Sequence, residues 1–419
     1  MGCYNASNVT VIVINTGTEL LLGDVLNSHL SFIAREIFPL GLRVDCQLTV
    51  PDGDAIRTAL AESLERAEII FITGGLGPTT DDITREITAE LLGLELRHDP
   101  TIMTAITTRA ASRGFRLTDR TARQAGVPEG ATVLSNENGS APGLYLAANP
   151  TRQDKSPHLF LLPGPPRELR PMFTSSVLPI LREIVPQGSA VGRRTYRIAG
   201  MGESLVEEAI GERLHQITEI ELGYCARPGE VDLRIIGQQS ALDQAEAIIT
   251  AGLGTSIFSS DGGSLEEVVV KLLTERRQTL AVAESCTGGF LAHRITNVPG
   301  ASAVFLAGYV TYANKAKGAM LGVDARLISA HGAVSENVAR AMAEGARQQA
   351  NAAFALATTG IAGPGGGTDE KPIGTVFIAL AADGAATHVG SFRFPDDRQT
   401  FKELTTQAAL EMLRRSLLA

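Results

Sequence analysis

A hydroxyl side chain stands at a strand-to-helix turn in the last third of the chain. The apolar run Thr279–Ala283 predicts a short strand, the segment Ser285–Gly289 (SCTGG) follows it, and a helical pattern begins at Phe290. Backbone N–H groups at such a turn are unpaired and carry partial positive charge, which suits an oxyanion beside a nucleophile. Ser285 or Thr287 could equally serve as an ordinary helix cap, so the turn alone leaves both interpretations open.

A serine nucleophile needs a base, and the histidines of this third do not supply one. His293 falls on the predicted helix and His331 in a turn, where surface or packing roles are expected. A lysine can serve instead when burial lowers its pKa enough to leave it neutral, and serine–lysine pairs are a known variant of the catalytic triad. Lys315 and Lys317 both follow the end of an apolar strand that could lie beside Ser285, although either could be a solvated surface lysine.

The first third contains a glycine-rich loop that ends in two carboxylates. The apolar run Glu68–Thr73 leads into the loop Thr73–Asp82, TGGLGPTTDD. Glycines let the backbone approach a ligand closely, and the helix start that follows offers N–H groups to phosphate. Asp81 and Asp82 could hold a divalent ion that bridges phosphate oxygens. Alternatively, Asp81 caps the helix and Asp82 complements its dipole.

Strands alternate with helical patterns in the first and last thirds, which predicts mainly parallel sheets covered by helices on both faces. Ligands bind beyond the carboxyl ends of such strands, and the glycine turns Asn138–Gly143 and Leu162–Glu168 could converge there with the first loop. Between a predicted linker, Val185–Gly192, and the last third, the order β-α-β-β-α indicates a small separate domain. We therefore predict an α/β protein of two three-layer α/β/α domains joined by a small α+β domain, with bounds 1–184, 185–258 and 259–419.

Composition limits the function classes. The chain has 419 residues, a net charge of −9 and an isoelectric point of about 5.4, which disfavours non-specific DNA binding. The four cysteines show no metal-type spacing and predict reduced thiols in a cytosol. No apolar run reaches transmembrane length. We expect a cytoplasmic protein with small-molecule ligands and no membrane partner.

The segments TGGLGPTTDD, NGSAPG and LPGPPRE resemble the molybdopterin-binding-like N-terminal domain of the CinA family (competence/damage-inducible protein A). The resemblance implies a metal-dependent ADP-ribose pyrophosphatase that yields AMP and ribose 5-phosphate, with Mg, Mn or Co as the divalent metal. It assigns metal or catalytic roles to Asp81 and Asp82. It assigns phosphate contacts to Gly74, Gly75, Gly77 and Thr79. This chain has Asn27-Ser28-His29 where family members usually carry Asn- or Asp-Thr-Asn.

The middle segment resembles the KH-type domain of the same family. A KH domain that grips RNA needs a GXXG loop, and Gly200-Met201-Gly202-Glu203 does not provide one. Nucleic acid is therefore not an expected partner. We expect this segment to act as a spacer or as a contact within a homodimer.

The segments AESCTGG, VPGAS, YANKAK, HGAVSE and TTGIAGPGGGTDEKPIGTV resemble the CinA C-terminal domain. That domain is similar to nicotinamide-nucleotide amidases, which hydrolyse nicotinamide mononucleotide to nicotinate mononucleotide and ammonia by a serine–lysine mechanism without a cofactor. The resemblance makes Ser285 the nucleophile and Lys317 the base, and Lys315 would help to keep Lys317 neutral by like-charge repulsion. It adds Tyr312 and Thr359 as further catalytic candidates, and as substrate contacts Thr287, Gly288, Ser302, Gly360 and Arg398.

Two functional hypotheses follow from the sequence. The first is a bifunctional hydrolase of pyridine-nucleotide salvage, with one activity in each large domain. The second is a non-catalytic scaffold in competence or the DNA damage response that binds a molybdopterin or a nucleotide. The paired candidates Ser285/Lys317 and Asp81/Asp82 favour the enzyme, because a scaffold does not need them.

Overall fold

The computed structural model describes residues 9–112, 114, 118–149, 156–185 and 192–419. The chain divides into two compact units, Met1–Val191 and Gly192–Ala419. Residues 186–191 of the predicted linker lie outside the described ranges. Within those ranges, no helix has both the length and the apolar character needed to cross a membrane.

The first unit is built on a six-stranded sheet in the order β2-β1-β3-β8-β7-β6. Strands β2, β1, β3 and β8 run parallel, whereas β7 is antiparallel to both β8 and β6. Strands β4 and β5 form a separate antiparallel pair. The strands are β1 Val11–Thr16, β2 Val44–Val50, β3 Ile69–Thr73, β4 Leu96–His98, β5 Gly126–Pro128, β6 Thr132–Leu134, β7 Gly143–Leu146 and β8 His158–Leu162.

Helices cover both faces of this sheet, because alternate residues of its buried strands point to opposite sides. Val13 and Phe71 pack against one helical layer, and Ile14 and Ile72 pack against the other. The helices are α1 Thr18–Leu22, α2 His29–Ile37, α3 Ala55–Leu64, α4 Thr84–Leu91, α5 Pro100–Ser112, α6 Asp119–Ala122, α7 Pro166–Met172 and α8 Leu178–Ile184.

Two local irregularities in this unit have a cause in the sequence. Helix α1 stops at Gly23, which adopts a left-handed conformation at φ 80°, and α2 starts only at His29. Helix α7 contains Pro171 and is followed directly by a π-type turn over Phe173–Val177. Proline lacks the N–H that a regular helix needs at that position, so the helix changes its hydrogen-bond pattern there.

The second unit begins with the small α+β domain. Its elements are β9 Gly192–Ala199, α9 Glu203–His215, β10 Ile220–Arg227, β11 Glu230–Gly237, α10 Gln239–Leu253 and β12 Ile257–Ser259. The antiparallel sheet has the order β10-β11-β9-β12. Val206 and Ile249 of the two helices pack on Tyr196 and Leu233 of the sheet.

The last domain is a second three-layer structure, on a sheet in the order β14-β13-β15-β16-β17. Strands β14, β13 and β15 are parallel, and β16 and β17 are added antiparallel. Its elements are α11 Leu265–Arg276, β13 Leu280–Glu284, α12 Phe290–Thr296, β14 Phe305–Val310, α13 Asn314–Leu321, α14 Ala325–His331, α15 Glu336–Ala350, β15 Phe354–Gly360, β16 Thr375–Ala382, β17 His388–Arg393 and α16 Arg398–Leu418.

Strand β13 is buried on both faces at the centre of this domain. Leu280 and Val282 face the layer of α11, α12 and α16, whereas Ala281 and Ala283 face α15. The predicted fold class, two α/β/α domains joined by a small α+β domain, is confirmed.

Candidate active site

The turn after β13 places Ser285 at the carboxyl end of the sheet. Glu284 pairs with Thr358 of β15, and the Ser285 N–H donates to the Thr358 carbonyl at 3.0 Å. The Gly288 N–H donates back to the Ser285 carbonyl at 3.2 Å, so the chain reverses within four residues. Gly288 and Gly289 have φ values of 60° and 95°, a conformation that other residues rarely adopt.

Lys317 meets this hydroxyl from the first turns of α13. Its Nζ lies 3.1 Å from Ser285 Oγ and donates to the Thr311 carbonyl at 2.8 Å. The lysine is 1% exposed, and this burial lowers its pKa, although an interaction with Cys286 raises it in part. The two side chains that the sequence named as nucleophile and base are thus in hydrogen-bond contact.

Lys315 does not share that position. It is exposed on α13, because residues two apart on a helix point to different sides. The pKa of Lys317 is lowered by burial and carries no contribution from Lys315. Like-charge repulsion from Lys315 is therefore not a cause of the lowered Lys317 pKa, and Lys317 is the lysine that contacts Ser285.

The N–H groups around the turn are largely committed within the protein. The buried Glu284 carboxylate accepts hydrogen bonds from the N–H groups of Gly289, Leu291 and Ala292 at 2.8–3.0 Å, and Gly288 is taken by Ser285. Among the described residues, the N–H groups of Cys286 and Thr287 donate to no backbone carbonyl and to no carboxylate, although the Cys286 N–H lies against its own thiol. They are the donors next to Ser285 that a developing oxyanion could use, and Gly288 is not one of them.

The Cys286 thiol does not compete as a nucleophile, and the hydroxyls of Thr287 and Thr359 bond to groups other than Ser285 and Lys317. Burial raises the pKa of the Cys286 thiol to about 12, so it stays protonated and is a poor nucleophile. Thr287 Oγ1 and Thr358 Oγ1 hydrogen-bond to each other at 2.8 Å. Thr359 Oγ1 donates to the Ala333 carbonyl at 2.8 Å, so its contact is to the backbone of another loop and not to the Ser285–Lys317 pair.

Arg398 and Tyr312 form a polar pair at the exposed rim of the same domain. Arg398 donates to Tyr312 Oη and to the Gly363 carbonyl, each at 2.8 Å. Tyr312 follows the carboxyl end of β14 and is 61% exposed, so the pair is accessible to a ligand. A guanidinium at this position suits an anionic group such as phosphate.

Gly360 and Ser302 lie at opposite ends of the strands. Gly360 ends β15 near Ser285, and a Cβ there would come within 2.7 Å of the Thr375 carbonyl, so close packing already requires glycine. Ser302 is exposed just before β14, whose first residue pairs with the first residue of β13. The structure therefore does not bring Ser302 to Ser285.

In the first unit, the glycine-rich loop lies at the carboxyl ends of β1, β3 and β8. The Gly74 N–H donates to the Leu162 carbonyl at 2.9 Å, and Thr84 Oγ1 donates to the Gly74 carbonyl at 3.1 Å. A Cβ on Gly74 would lie 2.4 Å from Thr16 Oγ1, and one on Gly75 would lie 2.0 Å from Thr84 Oγ1. Close approach of the loops therefore requires both glycines.

The carboxylates of this loop stabilise the loop itself. Asp82 accepts hydrogen bonds from the Thr79 N–H at 2.8 Å and from the Thr79 hydroxyl, and a Cβ on Gly77 would approach Asp82 Oδ2 to 2.5 Å. Helix α4 is preceded by Ile83 and has no side-chain cap, so the alternative in which Asp81 caps it is wrong.

The described side chains at this loop do not by themselves form a complete ligand set for the expected divalent metal. In the part of the chain that the structure describes, no group of three or more His, Cys, Asp or Glu side chains is arranged to hold a metal. Asp81 and Asp82 supply two carboxylates, and a magnesium ion would need further oxygen ligands from water or a substrate phosphate.

Sequence reasoning missed two unpartnered polar atoms beside these loops. Thr16 Oγ1 and His29 Nδ1 are buried and have no hydrogen-bond partner within the described residues. His29 Nε2 lies 2.6 Å from the Gly164 carbonyl, and burial lowers the histidine pKa. The neutral ring therefore donates to Gly164 and leaves Nδ1 as an acceptor. Buried polar atoms without partners are uncommon in folded proteins and indicate a place for a bound molecule or water.

Together, these features define a multidomain α/β protein with a buried serine–lysine pair in one large domain and a glycine-lined cleft in the other. Residues 263–417 match the family described as CinA C-terminal domain, residues 193–254 match the damage-inducible protein CinA KH domain, and residues 12–183 match the "Probable molybdopterin binding domain".

Relatives that match nearly the whole chain indicate the same family. A CinA-like protein of Akkermansia muciniphila is 44% identical over 402 residues, which cover 96% of each chain. A competence-damage inducible protein of Symbiobacterium thermophilum is 44% identical over 423 residues, covering 96% of this chain and 97% of that one. The chain belongs to the CinA family of competence/damage-inducible proteins. Membership supports a nucleotide-related role.

Proposed function

We propose that the C-terminal domain is an amidohydrolase that converts nicotinamide mononucleotide to nicotinate mononucleotide and ammonia. The observation that carries the proposal is the contact of 3.1 Å between Ser285 Oγ and Nζ of Lys317, a lysine that is 1% exposed. Burial disfavours the charged ammonium, so the amine can take a proton. The choice of nicotinamide mononucleotide as substrate comes from the sequence resemblance.

The geometry supports a two-step hydrolysis. Neutral Lys317 keeps one N–H on the Thr311 carbonyl and accepts the Ser285 proton as Oγ attacks the carboxamide carbon. The N–H groups of Cys286 and Thr287 are the donors available beside Ser285 for the carbonyl oxygen as it becomes negative. Lys317 then gives the proton to the departing ammonia, which leaves an acyl-serine. Lys317 next deprotonates a water molecule, which attacks the ester carbon. As the ester C–O bond breaks, Lys317 returns this proton to Ser285 Oγ, which releases nicotinate mononucleotide and restores the neutral lysine.

The rim of the domain supports a nucleotide rather than a simple amide. Arg398 presents its guanidinium at the surface while two of its N–H groups hold Tyr312 and the Gly363 carbonyl. A substrate phosphate bound there would be held by a charge-assisted hydrogen bond.

A buried hydroxyl beside the serine–lysine pair gives further support for a ligand. Thr311 Oγ1 is buried without a hydrogen-bond partner in the described ranges, and the carbonyl of the same residue holds Lys317 Nζ.

The test is ammonia release from nicotinamide mononucleotide, with nicotinate mononucleotide identified by mass. The wild type should release both products. Ser285→Ala should abolish turnover with its circular dichroism spectrum unchanged, whereas Cys286→Ala, the adjacent control, should keep turnover within about tenfold of wild type. Full turnover by Ser285→Ala, or none by the wild type, would remove the amidase proposal.

For the N-terminal domain we propose hydrolysis of ADP-ribose with a divalent metal. The buried unpartnered atoms Thr16 Oγ1 and His29 Nδ1, at the ends of strands where α/β sheets bind ligands, favour a ligand in this cleft. AMP release from ADP-ribose with Mg²⁺, Mn²⁺ or Co²⁺ tests it, and calorimetric metal titration of Asp81→Asn gives a second readout. If neither substrate is turned over, the scaffold hypothesis replaces both proposals.

A further inference from the structure

Glu284 is a fully buried carboxylate directly before Ser285, at 0% exposure. Its Oε2 accepts from the N–H groups of Gly289 and Leu291 at 2.9 and 3.0 Å, and its Oε1 accepts from Ala292 at 2.8 Å. Such bonds to a charged acceptor are stronger than neutral ones. The carboxylate therefore closes the N-terminal end of α12.

These bonds join the last residue of β13 to the first turn of α12 and enclose the segment Ser285–Gly288. The Glu284 backbone is held as well, because its carbonyl accepts from the Thr311 N–H at 2.8 Å. Thr311 is also the residue whose carbonyl holds Lys317 Nζ. Glu284 thus fixes the start and the end of the turn that carries Ser285. Through its bond to Thr311 it also fixes the carbonyl that holds Lys317.

From this arrangement we infer that Glu284 is a positioning residue for Ser285, and the inference rests on the amidase function proposed above. Glu284 does not touch the substrate, since both of its oxygens are occupied and its side chain is buried. It fixes the distance between Ser285 Oγ and Lys317 Nζ, and its bonds go to the N–H groups of Gly289, Leu291 and Ala292 and not to those of Cys286 and Thr287.

Electrostatics argues against the other possible role, control of the lysine. A buried anion close to Lys317 would favour the ammonium form. The pKa of Lys317 is nevertheless lowered, and its causes are burial and an opposing interaction with Cys286, without Glu284. The charge of Glu284 faces the partial positive charge of the α12 N-terminus instead.

Glu284→Gln is the decisive variant, because it keeps the shape but places an amide N–H against backbone N–H groups. A displacement of about 1 Å can lower a rate about 100-fold, so we expect kcat to fall by roughly that factor with KM changed less than about threefold. Labelling of Ser285 by a fluorophosphonate, which reacts with activated serines, should slow by a similar factor. The acidic limb of the pH–rate profile should stay in place.

Glu267→Gln is the matched control, since Glu267 accepts from the Ser264 N–H in the cap of α11 in the same domain, and both of its rates should stay at the wild-type value. If Glu284→Gln does not fold, Glu284→Asp keeps the charge and shortens the reach, and the same two rates are measured. Rates within threefold of wild type in the folded variant, or a shifted acidic limb, would overturn the inference. A wild type that releases no ammonia but labels at Ser285 would end the amidase proposal while this test still stands.

Discussion

At the scale of single residues, the account depends on which lysine is buried. Lys315 and Lys317 are two positions apart on α13, but only Lys317 is held between Ser285 Oγ and the Thr311 carbonyl. Burial of an amine costs stability, because it disfavours the charged form that water favours. A cost of this kind is typical of functional sites, and here it coincides with contact to a hydroxyl.

The two lysines therefore provide a matched pair of variants. Lys317→Met should lower kcat for nicotinamide mononucleotide by at least about 1,000-fold, as expected for removal of the base in such a pair. Lys315→Met should change kcat by less than about threefold, because Lys315 is exposed and makes no contact with Ser285. Steady-state ammonia release measures both. Equal losses in the two variants would contradict the assignment of the base.

At the scale of elements, the loops at the strand ends need glycine where they approach each other. Gly74 has a φ of 99°, and a Cβ there would overlap Thr16. Gly130, in the turn between β5 and β6, has a φ of 80° with open space around it. Both positions need a left-handed backbone, but only Gly74 also lies too close to another loop for a Cβ.

Substitution by alanine separates these contributions. Gly130→Ala should cost about 1 kcal/mol of unfolding free energy, from the left-handed backbone alone. Gly74→Ala should cost about 1–3 kcal/mol more, because the added methyl group is overpacked against Thr16. Urea unfolding followed by circular dichroism measures both variants, and a Gly74→Ala that is no worse than Gly130→Ala would show that the loops can separate freely.

Much of this arrangement could be predicted from the sequence. The order of strands and helices follows from apolar periodicity and glycine turns, and the helix predicted to begin at Phe290 does begin there. The short strand β12 was missed, because its three residues pair only with β9, far away in sequence. Helices α14 and α15 were left unassigned, although Asp324 and Ser335 cap them.

The candidate site was predicted less completely than the fold. Residue types and order suggested Ser285 with either Lys315 or Lys317, and the family resemblance selected Lys317. The contact itself depends on the pairing of β13 with β14, which no local pattern encodes. Glu284 was overlooked as a functional residue because an acid at the end of a strand is expected to be solvated. A carboxylate just before a turn rich in N–H groups was the available signal. Ser302, expected as a substrate contact, lies at the other end of the strands from Ser285, because a motif gives order along the chain and not the end of the sheet.

At the scale of the whole second unit, hydrogen bonds from the last helix connect it to the small domain. Arg414 of α16 donates twice to Glu411 at 2.7–2.8 Å and once to the Thr255 carbonyl at 2.6 Å. Arg414 is 2% exposed. Gln407 of the same helix donates to Glu230 of β11 at 2.8 Å. The small domain is thus held to the last domain by polar contacts as well as by apolar packing.

Loss of Arg414 should destabilise this unit markedly. Arg414→Met removes the bonds to Glu411 and to the Thr255 carbonyl, and a hydrogen bond to a charged group contributes about 1.5–3 kcal/mol. Glu411 keeps Arg415 as a partner, so we expect a loss of about that size and not the full cost of an unpaired buried charge. Arg347→Met is the control, because its partner Asp383 is 79% exposed and such pairs contribute little. The chain has no tryptophan, so circular dichroism during urea unfolding is the measurement. Equal midpoints for the two variants would show that the buried network does not stabilise the unit.

The central claim is that Lys317 acts as the base with a pKa below its ordinary value, and the pH dependence of kcat/KM for nicotinamide mononucleotide tests it most directly. Burial lowers the pKa of Lys317 below its ordinary value of 10.5, so kcat/KM should rise with pH through that lowered pKa and level off before pH 10.5. Below this limb the lysine is protonated in the free enzyme, and the base is lost. An acidic limb at about 10.5, or a profile without a limb on the acid side, would contradict the account.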